Sequence, residues 1–490
     1  MFYTWLTGAA NYSGLVADDA IYLLMTERFN PNVENLLVHH YVTEVSHFPP
    51  LWPLLLSALD ISSNNISKAH WVQNFVISLG VISIGLFSLR LKSGLGAASA
   101  IVVLSAASPA TLLLSVEIWS EFLFIFLIYL AFSLLIGENT RHLVFSFASL
   151  LIGLTVITRG FGIIALGALF LNSLAKYPRR IRGGILFSVM PLALSTIGGW
   201  GGNQSYFSIF AERVSSISAL FSVIVENLNA IWRGWLQFFD RSPDILSIGV
   251  GVLVLVLAGI TLWRRLQKFE VDSWFCLGYV ALLLIWPFPA VMGRLIFPII
   301  PLLLVYAVLT CSNLPASFSS RTGPYFDKMA PLILCGVLAI TILPNSYSLV
   351  RNYLEPLPQH LQYLAASRNW MEITDRNTAR ERLDSAHVII TGLHRAKGMI
   401  AESDCVYAQR PQIVMFYLKR PSYPAPTSKD RGSVPLCRYH VLINDGSLQS
   451  TLRAMWPNYE VVLTENNRDT PMLLLARYGK IRSEESTFTK

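Results

Sequence analysis

Ten apolar runs joined by short polar links constrain this chain more than any other feature. They occupy residues 71–89, 94–114, 116–136, 143–157, 160–174, 183–201, 246–263, 273–290, 294–311 and 329–345. A helix needs about 20 mostly apolar residues to cross the hydrocarbon core of a bilayer. The links set the orientation. Arg90 and Lys92 follow the first run, Arg141 the third, and Lys176, Arg179, Arg180 and Arg182 the fifth. Arg264, Arg265 and Lys268 follow the seventh, and Arg321 and Lys328 precede the last. If all ten runs cross, these clusters share one side, which the positive-inside bias marks as cytoplasmic. The pair 143–157 and 160–174 is broken by Thr158-Arg159-Gly160. At about 31 residues it is too long for one span and reads as two. Only 14% of the chain is charged and 53% is hydrophobic, against roughly 25% charged in a soluble domain. The net charge of +8 belongs largely to the links, so no nucleic-acid partner is expected.

This topology places residues 1–70, 202–245 and 346–490 outside. Three parts follow: a first extracytoplasmic loop at 1–70, a transmembrane helical domain at 71–345, and a soluble extracytoplasmic α/β domain at 346–490. In the tail, "HVIIT" at 387–391, "IVMFYL" at 413–418, "YHVLI" at 439–443, "YEVVL" at 459–463 and "MLLLARY" at 472–478 read as strands. Helical stretches near 357–370, 372–384 and 447–455 alternate with them. Five cysteines are present. Cys276, Cys311 and Cys335 lie in or beside apolar runs and read as packing residues. Cys405 and Cys437 lie in the tail, where an oxidising compartment would permit a disulfide; bonded and free forms both fit. Ten spans put the N-terminus outside with no helix to carry it across, so a further span is expected before residue 1. Residues 1–10 are too short an apolar segment for a secretory signal.

The chemistry lies on the outer side. "ADDAIYLLMTERF" at 17–29 sets Asp18 beside Asp19. In a helix Asp18 and Tyr22 share a face, and Asp19 points about 100° away. A simple helix cap with a surface acid is the plain alternative. "HFPPLWPLLLSAL" at 47–59 joins His47 to Pro50 and Trp52, a stiff extended entry followed by an apolar half-helix. "VEIWSEFLFIF" at 116–126 places Glu117 and Glu121 at the outer end of a span. A carboxylate at that depth is costly and suggests function, unless both acids sit in the headgroup layer. Arg159 in "TRGFG" and Arg294 in "GRLIFPIIP" stand on the side where arginine is disfavoured. Each suits an anionic partner, either a lipid headgroup or a specific phosphate.

Taken together, "ADDAIY", "FPPLWPLL" and "SEFLF", then the Thr-Arg turn and the Arg-x-x-x-Pro-x-x-Pro segment, resemble the GT-C polytopic glycosyltransferases. Within them it looks like those similar to protein O-mannosyltransferases and lipid A aminoarabinose transferases, over roughly residues 15–310. The resemblance implies an α-helical polytopic membrane protein of GT-C type, with about ten spans, one N-terminal span missing, and a small outer α/β domain. It implies a transferase that takes a sugar from a polyprenyl-phosphate donor to an acceptor hydroxyl on the extracytoplasmic face, with inversion. Asp18 takes the place of the family's catalytic base, with Asp19 as its neighbour. Arg294 and Arg159 would hold the donor phosphate, and Tyr22, Glu121, Glu117, His47, Pro50 and Trp52 would line the substrate. The expected setting is the bacterial plasma (inner) membrane, with membrane lipids around the chain and a lipid, glycan or protein acceptor. Leu295 stands where the family commonly has an aromatic. The sequence names no cofactor; a divalent metal stays open, and His39, His40 and His47 match no standard ligand spacing. A transporter or flippase of lipid-linked glycans is the competing class, but inverted repeats would be expected there and none is visible. A scaffold without catalysis is the third, in which Asp18→Asn would be silent.

Overall fold

A helix lies over each of the ten apolar runs in the computed structural model, which describes residues 17–29, 48–62, 65–115, 118–137, 141–178, 181–197, 216–240, 244–313, 325–354, 376–408, 411–424, 437–443, 459–467 and 470–478. The chain divides into two units. One comprises Met1–Ala10, Val45–Leu59 and Ser67–Leu361; the other comprises Asn11–Glu44, Asp60–Ile66 and Gln362–Lys490.

The first unit is helical. Among the described residues, four of its helices are long and apolar enough to cross a membrane: Ile66–Arg90, Ile245–Gln267, Met292–Asn313 and Met329–Ser348. Shorter apolar helices accompany them, among them Leu95–Ala107, Glu121–Leu135, His142–Thr158, Gly162–Lys176 and Val271–Leu284. Met292–Asn313 is the most enclosed of the four, with 94% of its most apolar stretch buried. By contrast Leu95, Leu143, Ile245 and Val256 present large side chains outward. Apolar surface on that scale suits lipid rather than water.

Local chemistry sets the helix boundaries. The run at 94–114 is two helices, Leu95–Ala107 and Pro109–Leu114. Ser108 is extended between them (φ −62°, ψ 145°), the conformation that a following proline imposes. Thr158-Arg159-Gly160 does separate two helices. Arg159 is extended (φ −152°, ψ 136°) and ends the first of them. Gly162 then allows a close approach: a Cβ there would meet the Thr155 carbonyl carbon at 2.4 Å. Asp244 caps Ile245–Gln267, its carboxylate accepting from the Ser247 N–H at 2.7 Å. That bond holds the Asp244 carboxyl below its ordinary range.

The segment 202–245, read as an outer loop, contains the 23-residue helix Ile217–Phe239. Glu226, Asn227, Asn229, Arg233 and Gln237 interrupt its apolar residues, so no continuous run marks it. Two basic link residues also tie helices together. Arg265 forks onto Asp272 at 2.7 and 2.6 Å, and Lys176 meets Glu270 at 2.7 Å.

The second unit is α/β. Its five-stranded sheet runs β2 (Ser422–Pro424), β1 (Val406–Ala408), β3 (Tyr439–Ile443), β5 (Thr470–Tyr478), β4 (Tyr459–Asn467). β1 pairs parallel with both β2 and β3. β5 pairs antiparallel with β3, setting Tyr439 opposite Arg477, and antiparallel with β4. The helices Ala17–Phe29, Arg376–Met399 and Pro411–Leu418 belong to this unit.

Two tail segments expected as strands are helices. Residues 387–391 lie inside Arg376–Met399, where Ile389, Ile390, Leu393 and Ala396 are buried at helical spacing. Residues 413–418 lie inside Pro411–Leu418. A six-residue apolar run does not distinguish a buried strand from a buried helix; Pro411 at the helix start decides it. The strands at 439–443, 459–463 and 472–478 form as expected. The expected helices near 357–370 and 447–455 lie outside the described residues. Cys405 and Cys437 are joined in a disulfide, with Cα atoms 4.9 Å apart. Closing a loop of this length stabilises a fold by about 4 kcal/mol in the chain-entropy account.

Candidate active site

Three residues distant in sequence converge in the helical unit. Glu121 opens the helix Glu121–Leu135, where the positive end of the helix dipole favours a carboxylate. Arg159 ends the helix His142–Thr158, and its extended backbone takes the residue out of the helical path. Arg294 lies in the short helix Met292–Ile296. The Arg159 guanidinium pairs with Glu121 Oε1, and Arg294 Nε lies 2.5 Å from the same oxygen. Glu121 is 1% exposed and Arg159 8%. Glu121 is thus a shared counter-ion, held between two guanidiniums.

The neighbours hold this arrangement in place. The Arg294 guanidinium lies over the Trp119 ring at 4.1 Å, a cation–π geometry. Arg159 stands 6.0 Å from the Phe161 ring, which packs on Tyr279 and Trp286 with centroids at 5.1 and 4.6 Å. The backbone around Arg294 is broken, since Pro298 has no N–H and a 3₁₀ turn occupies Phe297–Ile299. Two tyrosines satisfy carbonyls at the break. The Tyr279 hydroxyl donates to the Leu295 carbonyl at 2.8 Å, and the Tyr129 hydroxyl to the Pro298 carbonyl at 2.9 Å. Asn227 donates to the Leu284 and Trp286 carbonyls at 2.9 and 2.8 Å, fixing the approach to that segment. A Cβ on Gly234 would meet the Gly293 Cα at 2.8 Å, so the helices meet backbone to backbone beside Arg294.

Of the residues singled out in the sequence, Glu121, Arg159 and Arg294 come together. Trp52 and Pro50 lie at the start of the helix Leu51–Ala58 of the same unit, both buried. Asp18, Asp19 and Tyr22 lie on Ala17–Phe29 in the other unit. Asp19 and Tyr22 are each 4% exposed, so Asp19 is not a surface acid. Glu117, His39, His40 and His47 lie outside the described residues. Among the described residues no three His, Cys, Asp or Glu side chains gather in a way that could hold a metal ion. Trp119, Tyr279 and Tyr129 went unnoticed in the sequence, because an aromatic within an apolar run carries no local signal; Asn227 lies in a segment that no apolar run marks.

No family model and no curated protein matches the sequence. Solved structures do resemble the fold. ArnT from Cupriavidus metallidurans bound to undecaprenyl phosphate aligns over 97% of this chain and 96% of its own, with a TM-score of 0.51 and 13% identity. The apo state of the same protein aligns over 93% of each chain, with a TM-score of 0.49 and 11% identity. The alignment with the lipid-bound form covers nearly the whole of both chains, and so this chain has a fold like that of ArnT.

Proposed function

We propose that this chain is a membrane glycosyltransferase that takes a sugar from a polyprenyl-phosphate donor. The cluster of buried Glu121 and Arg159 with half-buried Arg294 carries the reading. Two guanidiniums share one carboxylate oxygen, which brings two planar N–H forks to one place. Guanidinium forks of this kind match the oxygens of a phosphate, which accepts several N–H donors at once. The solved structure that shares this fold holds undecaprenyl phosphate, an anion of that class on a lipid chain. The apolar helices put the cluster in a setting where such a lipid dissolves.

In the reaction, Asp18 takes the proton of the acceptor hydroxyl. The acceptor oxygen attacks the anomeric carbon from the face opposite the phosphate, the carbon–oxygen bond to phosphate breaks, and polyprenyl phosphate leaves. The configuration inverts. Negative charge grows on the leaving phosphate, and Arg159 and Arg294 stabilise it. The resemblance supports Asp18 in this role, with Asp19 beside it. Tyr22, Trp52, Pro50, His47, Glu117 and Glu121 are proposed to shape the substrate surroundings. The acceptor is a lipid, glycan or protein hydroxyl. The active face is extracytoplasmic; the bonded Cys405–Cys437 pair supports an oxidising side for the tail. The ten-span topology and the inner-membrane location belong to the same proposal.

Binding of undecaprenyl phosphate to purified protein in nanodiscs tests the phosphate site. Arg294→Ala should weaken it about 10- to 100-fold, as loss of a charged hydrogen-bonding partner does. Arg159→Ala should act in the same direction. Wild-type affinity in both variants would remove the arginines from this role.

A further inference from the structure

The helix that carries the acidic pair has an unusual environment. From Asp19 to Glu27 every residue is 4% exposed or less, so the helix is enclosed on all its faces rather than laid on a surface. It packs against Pro411–Leu418. Glu27 lies in its last turn, where the negative end of the helix dipole disfavours a carboxylate. Burial disfavours it again.

Lys419 meets both penalties. Its ammonium lies 3.5 Å from Glu27 Oε1 and 5.0 Å from the Phe416 ring centroid. Lys419 closes the helix Pro411–Leu418 in the left-handed region (φ 54°), a conformation that a lysine keeps only when its surroundings impose it. Burial pulls its ammonium below the ordinary lysine range, and Glu27 opposes that shift. The next residue is anchored too: Arg420 Nε and Nη2 donate to the Ile400 carbonyl at 3.2 and 3.1 Å. The whole segment lies between β1 and β2, within the loop that the Cys405–Cys437 disulfide closes.

We infer that Glu27 and Lys419 are positioning residues that fix the helix bearing Asp18 onto the C-terminal domain. This rests on the reading of Asp18 as the base. Asp18 lies nine residues before Glu27 on one helix, about 13 Å along its axis. A tilt of roughly 10° at the Glu27 end would therefore move Asp18 by about 2 Å, and a misplacement of about 1 Å can cost 10²-fold in rate. The tail then has a catalytic purpose: it holds the base in place.

The test uses the full chain in vesicles with a polyprenyl-phosphate sugar donor. Glu27→Gln and Lys419→Met should each lower kcat about 10-fold, with the donor KM within about twofold of wild type. The exchanged pair, Glu27→Lys with Lys419→Glu, should recover most of the lost kcat. Arg395→Ala breaks an exposed pair in the same domain, with Glu465 at 2.8 Å, and should leave kcat unchanged. Wild-type kcat in the two single variants would overturn the inference. A fall in kcat that the exchange does not restore, and that tracks a fall in Tm, would also overturn it. Asp18→Asn in the same assay separates the two readings. If it is inactive while the pair variants are normal, only the positioning role fails. If it is fully active, the base assignment fails and the inference falls with it.

Discussion

Replacing Asp18 by asparagine is expected to lower the rate of sugar transfer by about 10²–10⁴-fold, the usual contribution of a positioned general base. The substitution is nearly isosteric, and an amide does not take up a proton at neutral pH. Asp18 is the second residue of the helix Ala17–Phe29, so the amide does not disturb a helix interior. Expression, disulfide content and donor affinity should stay at wild-type levels while the transfer rate collapses. Asp19→Asn should behave differently. Asp19 is buried in the C-terminal unit, so its substitution should lower stability as well as rate. Initial rates at matched protein levels, with thermal unfolding measured in parallel, distinguish the two acids. An Asp18→Asn variant at wild-type rate would retire Asp18 as the base.

Removing Glu121 should strongly destabilise the helical unit. Glu121→Ala leaves Arg159 and Arg294 facing each other without the carboxylate that both now contact. Breaking a buried ion pair from one side costs about 3–5 kcal/mol, because the remaining charge stays buried. Glu121→Gln keeps the shape but not the charge and should fall in the same direction. An added anion should partly replace the lost carboxylate. Polyprenyl phosphate is therefore expected to raise the Tm of Glu121→Gln more than that of the wild type. Thermal unfolding in detergent, with and without the lipid, reads both effects. A Glu121→Ala variant with wild-type Tm would show that the carboxylate is not the counter-ion that holds the arginines.

Much of this was legible in the sequence, for identifiable reasons. Apolar runs mark helices because backbone amides in lipid must pair within their own segment, and each of the ten has a helix over it. Arg159 and Arg294 stood out because the basic-link pattern assigned them to the side where arginine is scarce. Their common partner Glu121 stood out as a carboxylate at the end of a span. That the three converge was not legible, since each lies on a different helix and packing alone brings them together. Trp119 and Tyr279 were hidden by their apolar neighbours. The helix Ile217–Phe239 was hidden by its polar face. In the tail, alternation identified the long strands, but "IVMFYL" fits a strand and a buried helix equally. The grouping of Ala17–Phe29 with the C-terminal unit joins opposite ends of the chain. No local pattern encodes such a contact; it rests on pairs such as Glu27 and Lys419.

The fate of the donor tests the central claim most directly. A polyprenyl-phosphate sugar, labelled in both the sugar and the lipid, is supplied to vesicles that contain the wild-type chain and candidate acceptors. A glycosyltransferase predicts that labelled sugar appears on an acceptor in equal amount to the polyprenyl phosphate released, with inverted anomeric configuration. Both products should be absent with Asp18→Asn. Donor that crosses the bilayer with its sugar–phosphate bond intact, and without release of polyprenyl phosphate, would contradict the account and identify a carrier of lipid-linked sugar instead.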